Sequence, residues 1–149
     1  KWAHKKNKIY MSMESFISSN EYEKKKKKLD FNNDGVKDII LVLNKLEYLN
    51  SNNVDNLQIV ILEGKTKDTF SKLDANDQIF STASGVGGCP VEYLGLKVSS
   101  SNFTTEYTFC DGGERWIAYP TFKYGAKHNS FFLIFHPLLE YIVYFLCIK

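Results

Sequence analysis

The fold is constrained most by a series of short apolar runs, each about as long as a strand and separated from the next by turn residues. Residues 38–45 (DIILVLNK) and 57–64 (LQIVILEG) are apolar at successive positions, which is typical of central strands buried on both faces. Residues 102–109 (NFTTEYTF) alternate apolar with polar side chains, which indicates a strand with one buried face. These runs predict a mainly β fold built on an antiparallel sheet or roll.

Length and composition support this prediction. The chain has 149 residues, enough for one domain, and aromatic residues make up 15%, an enrichment that favours strands. We expect residues 1–13 to form a flexible basic segment and residues 14–149 to form a single β-rich domain. At most one short N-terminal helix is expected, near residues 11–18, and an α+β arrangement is the alternative fold class.

The charged residues are unevenly distributed. The net charge of +2 is too small to indicate a nucleic-acid partner, and none is expected. A block of five lysines spans Lys24–Lys28, and this pattern predicts an exposed edge strand, since lysines discourage pairing with other chains. A surface that binds lipid headgroups or another polyanion is the alternative interpretation.

Side-chain oxygens are concentrated directly before the first central strand, in the sequence DFNNDGVKD. The expected ligands of a Ca²⁺ ion are the side chains of Asp30, Asn32, Asp34 and Asp38 and the backbone carbonyl of Val36. When the loop is numbered from Asp30, Gly35 occupies the sixth position, where a sharp turn requires a positive φ. The alternative is a turn rich in Asp and Asn that binds no metal. An EF-hand is disfavoured because Leu41 occupies the twelfth position and a strand follows the loop.

Several stretches together resemble a group of poorly characterised exported bacterial proteins and lipoproteins. The first is SFISSNEYEKKKKKLDFNNDGVKDIILVL, with its single FG-GAP-like loop D-x-N-x-D-G-x-x-D, and the second is ANDQIFSTASGVGGCPVEYLGLKV. The third is NFTTEYTFCDGGERWIAYPTFKY, in which the residues that match the group's pattern are Gly112, Gly113, Arg115, Trp116 and Phe122. The resemblance spans roughly residues 14–133.

The resemblance implies a calcium-stabilised β domain in the cell envelope: periplasmic, secreted or attached to the outer membrane as a lipoprotein. It implies no particular activity. The chain departs from the group's pattern at Ser18 and Ser19, where the group tends to have Pro, and at Cys89-Pro90. The apolar tail after Phe135 has no counterpart in the group.

Three cysteines allow at most one intramolecular disulfide. Cys89 and Cys110 both lie at glycine-rich turns, so a bridge between them is one interpretation in an exported protein. The other interpretation is that Cys89, Cys110 and Cys147 are all reduced, small buried residues.

The two ends of the chain bear on membrane association. The sequence begins with Lys and not Met, which is compatible with the removal of an N-terminal anchor. Residues 131–148 are very apolar but are interrupted by Pro137 and Glu140. They predict two buried strands separated by a break, and a membrane anchor is the alternative.

No recognisable catalytic grouping accompanies these features, so we expect a protein that is not an enzyme. Arg115, Trp116 and Tyr119 are candidates for an exposed binding patch, because aromatic and arginine side chains dominate many interfaces. In the competing interpretation, Trp116 is a core residue and Arg115 pairs with Glu114 or a loop carboxylate.

The sequence therefore predicts a non-enzymatic calcium-binding domain that interacts with another protein or a glycan. An inhibitor, an immunity protein or an accessory protein of the envelope would fit this description. The alternative is an envelope hydrolase whose active site is not visible from motifs.

Overall fold

A computed structural model describes residues 10–50, 57–79, 92–111 and 113–134, with 109–111 described by their backbone. The described chain is mainly β, in two antiparallel sheets, and forms a single small domain, which confirms the predicted fold class. The strands are β1 (Glu21–Leu29), β2 (Asp38–Lys45), β3 (Gln58–Gly64), β4 (Phe70–Asn76), β5 (Tyr93–Ser99), β6 (Asn102–Asp111), β7 (Glu114–Ala118), β8 (Thr121–Gly125) and β9 (Ser130–Ile134).

Within the described ranges, the helical content is limited to short 3-10 turns. One spans Met13–Phe16, in the N-terminal region where a short helix is predicted. A second, Leu46–Tyr48, follows β2 and is not anticipated by the sequence. Among the described residues, no helix has the length and apolar character required to cross a bilayer.

The first sheet has the strand order β1-β2-β3-β4. The two apolar runs form its central strands, β2 and β3, as predicted, and every residue of β2 except Lys45 is buried. β1 is the edge strand that the lysine block predicts, and its pairing with β2 shifts register between Glu23 and Lys25. This bulge increases the twist of the edge and weakens it as a template for pairing with another chain.

Alternate residues of β2 supply two separate apolar clusters. Ile40 and Val42 enter the main core, which lies between the two sheets and includes Phe103, Phe122 and Phe131 from the second sheet. The opposite face of the first sheet is covered by the chain that precedes β1, including Met13, Phe16 and Ile17. The central strands β2 and β3 are therefore buried on both faces of the first sheet.

The N-terminal cover of the first sheet is attached to the edge strand β4. Met11 and Phe70 form an isolated antiparallel bridge in which each N–H donates to the other's carbonyl, at 3.0 and 2.8 Å. This bridge attaches the chain before β1 to the edge of the first sheet.

The second sheet has the order β5-β6-β8-β9, with β7 also paired to β6. The alternation predicted for residues 102–109 is present in β6: Phe103, Thr105 and Tyr107 are at most 4% exposed. β7 and β8 both pair with β6 and are separated by Tyr119 and Pro120.

Candidate functional site

The acidic stretch forms the loop of the β1–β2 hairpin. Leu29 and Asp38 are the last paired residues on either side, and residues 30–37 connect them. Gly35 has φ +84°, which confirms the sharp turn with positive φ expected there, and Asn33 has φ +59°. Asparagine tolerates this left-handed conformation better than most residues, so both positions suit the local backbone.

Backbone amides inside the loop are bonded to its own carboxylates. The two carboxylate oxygens of Asp30 accept hydrogen bonds from the N–H groups of Asp34 and Gly35, at 3.1 and 2.9 Å. The carboxylate of Asp34 accepts from the N–H of Val36 at 2.8 Å. Asn32 accepts from Asp34 N–H through Oδ1 at 3.2 Å and donates to Asp34 Oδ2 through Nδ2 at 2.9 Å. These bonds bring three of the predicted ligand side chains into one small volume.

Asp38 differs from the other loop carboxylates because it is fully buried. Its two oxygens accept hydrogen bonds from the N–H groups of Phe31 and Gly64, at 2.8 and 2.9 Å. The pKa of Asp38 is raised to about 6: burial is the largest cause, the charges of Asp34 and Asp30 also raise it, and the two N–H bonds lower it. Asp38 therefore joins the hairpin loop to the end of β3.

The end of β3 is the part of this site that the sequence does not reveal. Gly64 packs so closely on the loop that a Cβ built there would lie 2.3 Å from the carbonyl oxygen of Lys37. Its neighbour Glu63 places Oε1 3.5 Å from Asn32 Nδ2, and Lys65 forms an ion pair with Glu63 at 2.6 Å. The only sequence signal is a glycine that ends an apolar run, and it does not say which loop the glycine contacts.

The predicted metal ligands are only partly assembled into a common cavity. Asp30, Asn32 and Asp34 lie together, whereas the oxygens of Asp38 face Phe31 and Gly64. In the parts of the chain that the structure describes, no three His, Cys, Asp or Glu side chains are grouped so as to hold a metal ion. The proposed disulfide lies outside the description, which includes neither Cys89 nor the side chain of Cys110.

The second candidate site, Arg115, Trp116 and Tyr119, lies at β7 and the residue that follows it. Trp116 is 49% exposed, so it is not the core residue of the competing interpretation. Arg115 forms its ion pair with Glu92, the residue before β5, and not with Glu114. Because side chains alternate along a strand, Trp116 projects from the opposite face of the sheet to Arg115.

Apolar side chains on the outer face of the second sheet form a group that we call the outer patch: Leu94, Ile117 and Tyr119. Their exposed fractions are 48%, 44% and 45%. The Arg115–Glu92 ion pair lies on the same face, and Arg115 Nη2 is also 3.4 Å from Thr108 Oγ1. Leu94 and Ile117 are not among the site residues that the sequence indicates, because exposure depends on which face of the sheet is covered.

A second ion pair, between Lys97 and Glu106, flanks the outer patch. The hydrogen bond from Lys97 to Glu106 raises the pKa of the lysine above its ordinary value. Both ion pairs neutralise charge beside the apolar side chains. The patch therefore presents a largely uncharged surface to solvent, framed by fixed charges of both signs.

Comparison with protein-family models, curated proteins and solved structures finds no match to this chain.

Proposed function

We propose that the chain is a non-enzymatic, exported β domain that binds another macromolecule through the outer patch and uses a calcium ion to stabilise its β1–β2 loop. The observation that supports the binding role is the group of three half-exposed apolar side chains on one sheet face. Apolar side chains grouped on an exposed face often mark a site of contact with another molecule.

A protein is the partner that the chemistry of the outer patch favours. Leu94 and Ile117 are aliphatic, and aliphatic side chains contribute by exclusion of water from a well-packed interface. Sugar rings usually stack on aromatic faces, and in this group only Tyr119 is aromatic. The paired charges around the patch would orient a complementary protein surface.

Binding through the outer patch is tested by a charge placed inside it. Leu94→Lys is expected to reduce binding to an isolated envelope partner at least about tenfold, because it desolvates an ammonium group in an apolar contact. Leu46→Lys is the matched control, since Leu46 is also 48% exposed but follows β2 in the first sheet. An equal loss of binding in both variants would contradict the assignment of the binding site to the outer patch. Binding to a glycan array and to no protein would show that the partner is a sugar.

The calcium role is supported by the convergence of Asp30, Asn32 and Asp34 oxygens in a loop with the expected positive φ at Gly35. A carboxylate oxygen has two lone pairs, so an oxygen that accepts an N–H can also contact a cation. The residues that would hold the ion are these three side chains and the carbonyl of Val36. The ion would supply positive charge between carboxylates that otherwise repel one another.

Calcium binding is tested by thermal unfolding with and without the ion. Calcium at 100 times its dissociation constant is expected to stabilise the native chain by about 2.7 kcal/mol. Asp34→Ala should abolish this shift, whereas Asp68→Ala, an exposed carboxylate in the turn before β4, should leave it unchanged. An identical melting temperature with calcium and with chelator in the native chain would refute the calcium role.

Export belongs to the same proposal and has its own measurement. The native protein is expected in the periplasmic, secreted or outer-membrane fraction of its cells, as the resemblance to exported lipoproteins implies. Recovery with cytoplasmic marker proteins would overturn this part of the proposal and leave the outer patch and the calcium loop to be judged separately.

A further inference from the structure

Positive charge is concentrated on β1, at the edge of the first sheet. Five lysines and two glutamates give this strand a formal charge of +3, whereas the whole chain carries +2. The remaining residues are therefore slightly negative in total. A chain that is nearly neutral overall thus has one strongly basic stretch, Lys24–Lys28, which we call the basic edge.

The register of β1 places these lysines on both faces of the sheet. Lys25 and Lys27 are opposite residues whose side chains enter the main core. Lys26 and Lys28 are opposite residues of the cluster beneath the N-terminal cover. Directly opposite residues of an antiparallel pair share a face, so the basic edge has ammonium groups on both sides. Lys25 and Lys28, one on each side, are exposed.

Lys24 connects the basic edge with the second sheet. β1 lies beside β5, and Lys24 Nζ is 5.8 Å from the centre of the Tyr93 ring, within reach of a cation–π contact. Partial burial lowers the pKa of Lys24. Lys26 forms an ion pair with Glu23 at 3.4 Å, which offsets one of the five charges. These contacts fix the position of two lysine side chains and leave the edge as a whole positive.

The number of lysines exceeds what protection of an edge strand requires. The bulge between Glu23 and Lys25 already disturbs pairing with another chain, and single charges have the same effect. Lysines two positions apart on one face have Cα atoms about 6.8 Å apart, and like charges on neighbouring positions repel one another. Five adjacent lysines therefore carry an electrostatic cost that negative charge close to the edge would remove.

We propose that the basic edge binds the anionic headgroups of a phospholipid membrane, a role beyond those of the outer patch and the calcium loop. All five cations are lysines, whose flexible stems and compact ammonium groups suit many mobile headgroups, whereas arginine suits fixed bidentate partners. Lysines are depleted from protein interfaces, so a second protein fits this edge less well. Lysine clusters bind anionic membranes through the summed attraction of their charges to the surface.

Single-stranded nucleic acid is a less suitable polyanion for this strand. Proteins that bind single strands combine a basic groove with aromatic rings on which the bases stack. The one aromatic residue of β1, Tyr22, is half-buried, and its hydroxyl donates to the carbonyls of Tyr48 and Leu49, each at 3.3 Å. Its ring is therefore held against the first sheet and does not alternate with the lysines as a stacking surface.

Vesicle binding by the full chain tests the basic edge. The native chain is expected to bind vesicles that contain phosphatidylglycerol and to bind vesicles of phosphatidylcholine alone far less, because only the former carry net charge. Lys25→Gln with Lys28→Gln should lower the affinity about 25-fold, since each lysine near an anionic surface contributes a factor of about five. The matched control is Lys67→Gln with Lys127→Gln, which removes the same charge from exposed turns and should lower the affinity less than about threefold.

Three results of this experiment would overturn the proposal. Equal losses in the two double variants would refute the assignment to β1. Equal binding to both kinds of vesicle would show apolar insertion instead of attraction between charges. Binding to a DNA fragment without binding to anionic vesicles would show that the polyanion is a nucleic acid.

Thermal unfolding separates a loss of binding from a loss of folding. Lys25→Gln with Lys28→Gln should melt at or above the temperature of the native chain, because repulsion along the edge is reduced. A lower melting temperature would contradict the repulsion from which the proposal is argued. Leu94→Lys changes the outer patch and should not weaken vesicle binding, so failure of the basic edge and failure of the outer patch give different results.

Discussion

The two sheets differ in how completely they are covered. β2 and β3 of the first sheet are buried on both faces, by the second sheet and by the chain before β1. Among the described residues, the second sheet is covered on one face only, and every exposed large apolar side chain that lies in a strand belongs to it. The first sheet therefore contains the strands with the most complete burial and holds the acidic loop, and the side chains of the proposed binding role lie on the second sheet.

The largest expected effect compares one leucine from each sheet. Leu41→Ala removes a fully buried side chain of β2 and is expected to reduce the free energy of unfolding by about 2–5 kcal/mol. Leu94→Ala, at a position 48% exposed, should change it by less than about 0.5 kcal/mol. Urea unfolding measures both values. Similar losses in the two variants would show that the outer patch is structural.

The pH dependence of stability is expected to come mainly from the first sheet. Burial raises the pKa of Asp38 to about 6 in the folded protein, above its value in the unfolded chain. The folded state therefore holds a proton that the unfolded state releases, and the free energy of unfolding should fall by about 2–3 kcal/mol as pH rises from 4 to 7.

Asp38→Asn separates this titration from the rest of the protein. The amide of the variant cannot titrate, so the fall in stability between pH 4 and 7 should largely disappear. The variant should be less stable at every pH, because its NH₂ group is a donor and would face the N–H donor of Phe31 or Gly64. Chemical denaturation at several pH values gives the slope. An unchanged slope in the variant would assign the titration to another group.

Two glycine-to-alanine substitutions, one in each sheet, compare how closely the backbone is packed at Gly64 and at Gly95. Gly64→Ala brings a Cβ to 2.3 Å from the Lys37 carbonyl oxygen and should cost about 1–3 kcal/mol, because the loop or β3 must move. Gly95→Ala in the second sheet meets only a Glu106 carboxylate oxygen at 3.4 Å and should be nearly neutral. Thermal unfolding of the two variants would compare the backbone packing at the end of β3 with that in β5.

The smallest effect is expected on the outer face of the second sheet. Glu92→Gln weakens the ion pair with Arg115, and a surface pair of this kind contributes less than about 1 kcal/mol. The loss should shrink further in 1 M salt, where surface charges are screened. A larger loss that salt does not alter would mean that Arg115 and Glu92 are structural residues of the sheet.

Local patterns predicted much of the fold. The apolar runs of β2 and β3, the alternation in β6 and the lysines of β1 each report whether a strand is central, half-buried or at an edge, and each assignment is confirmed. The turn at Gly35 was also predictable, because few residues other than glycine adopt its φ.

Contacts between distant segments were not predictable from the same patterns. Asp38 has the spacing of a metal ligand, yet its oxygens accept N–H groups from Phe31 and Gly64. Arg115 pairs with Glu92, the residue before β5, although Glu114 is its neighbour in sequence. Both outcomes depend on sheet packing, and sequence spacing alone does not say which strands meet.

The attachment of the 30–37 loop to Gly64 also determines where the chain accepts added residues. A peptide tag inserted into that loop would separate Asp38 from its partners and loosen three strands together, despite the loop's exposed tip. The turn at residues 126–129 is different, because its backbone bonds run only to Gly125 and Ala126. An affinity tag or fluorophore placed between β8 and β9 should therefore leave the rest of the protein undisturbed.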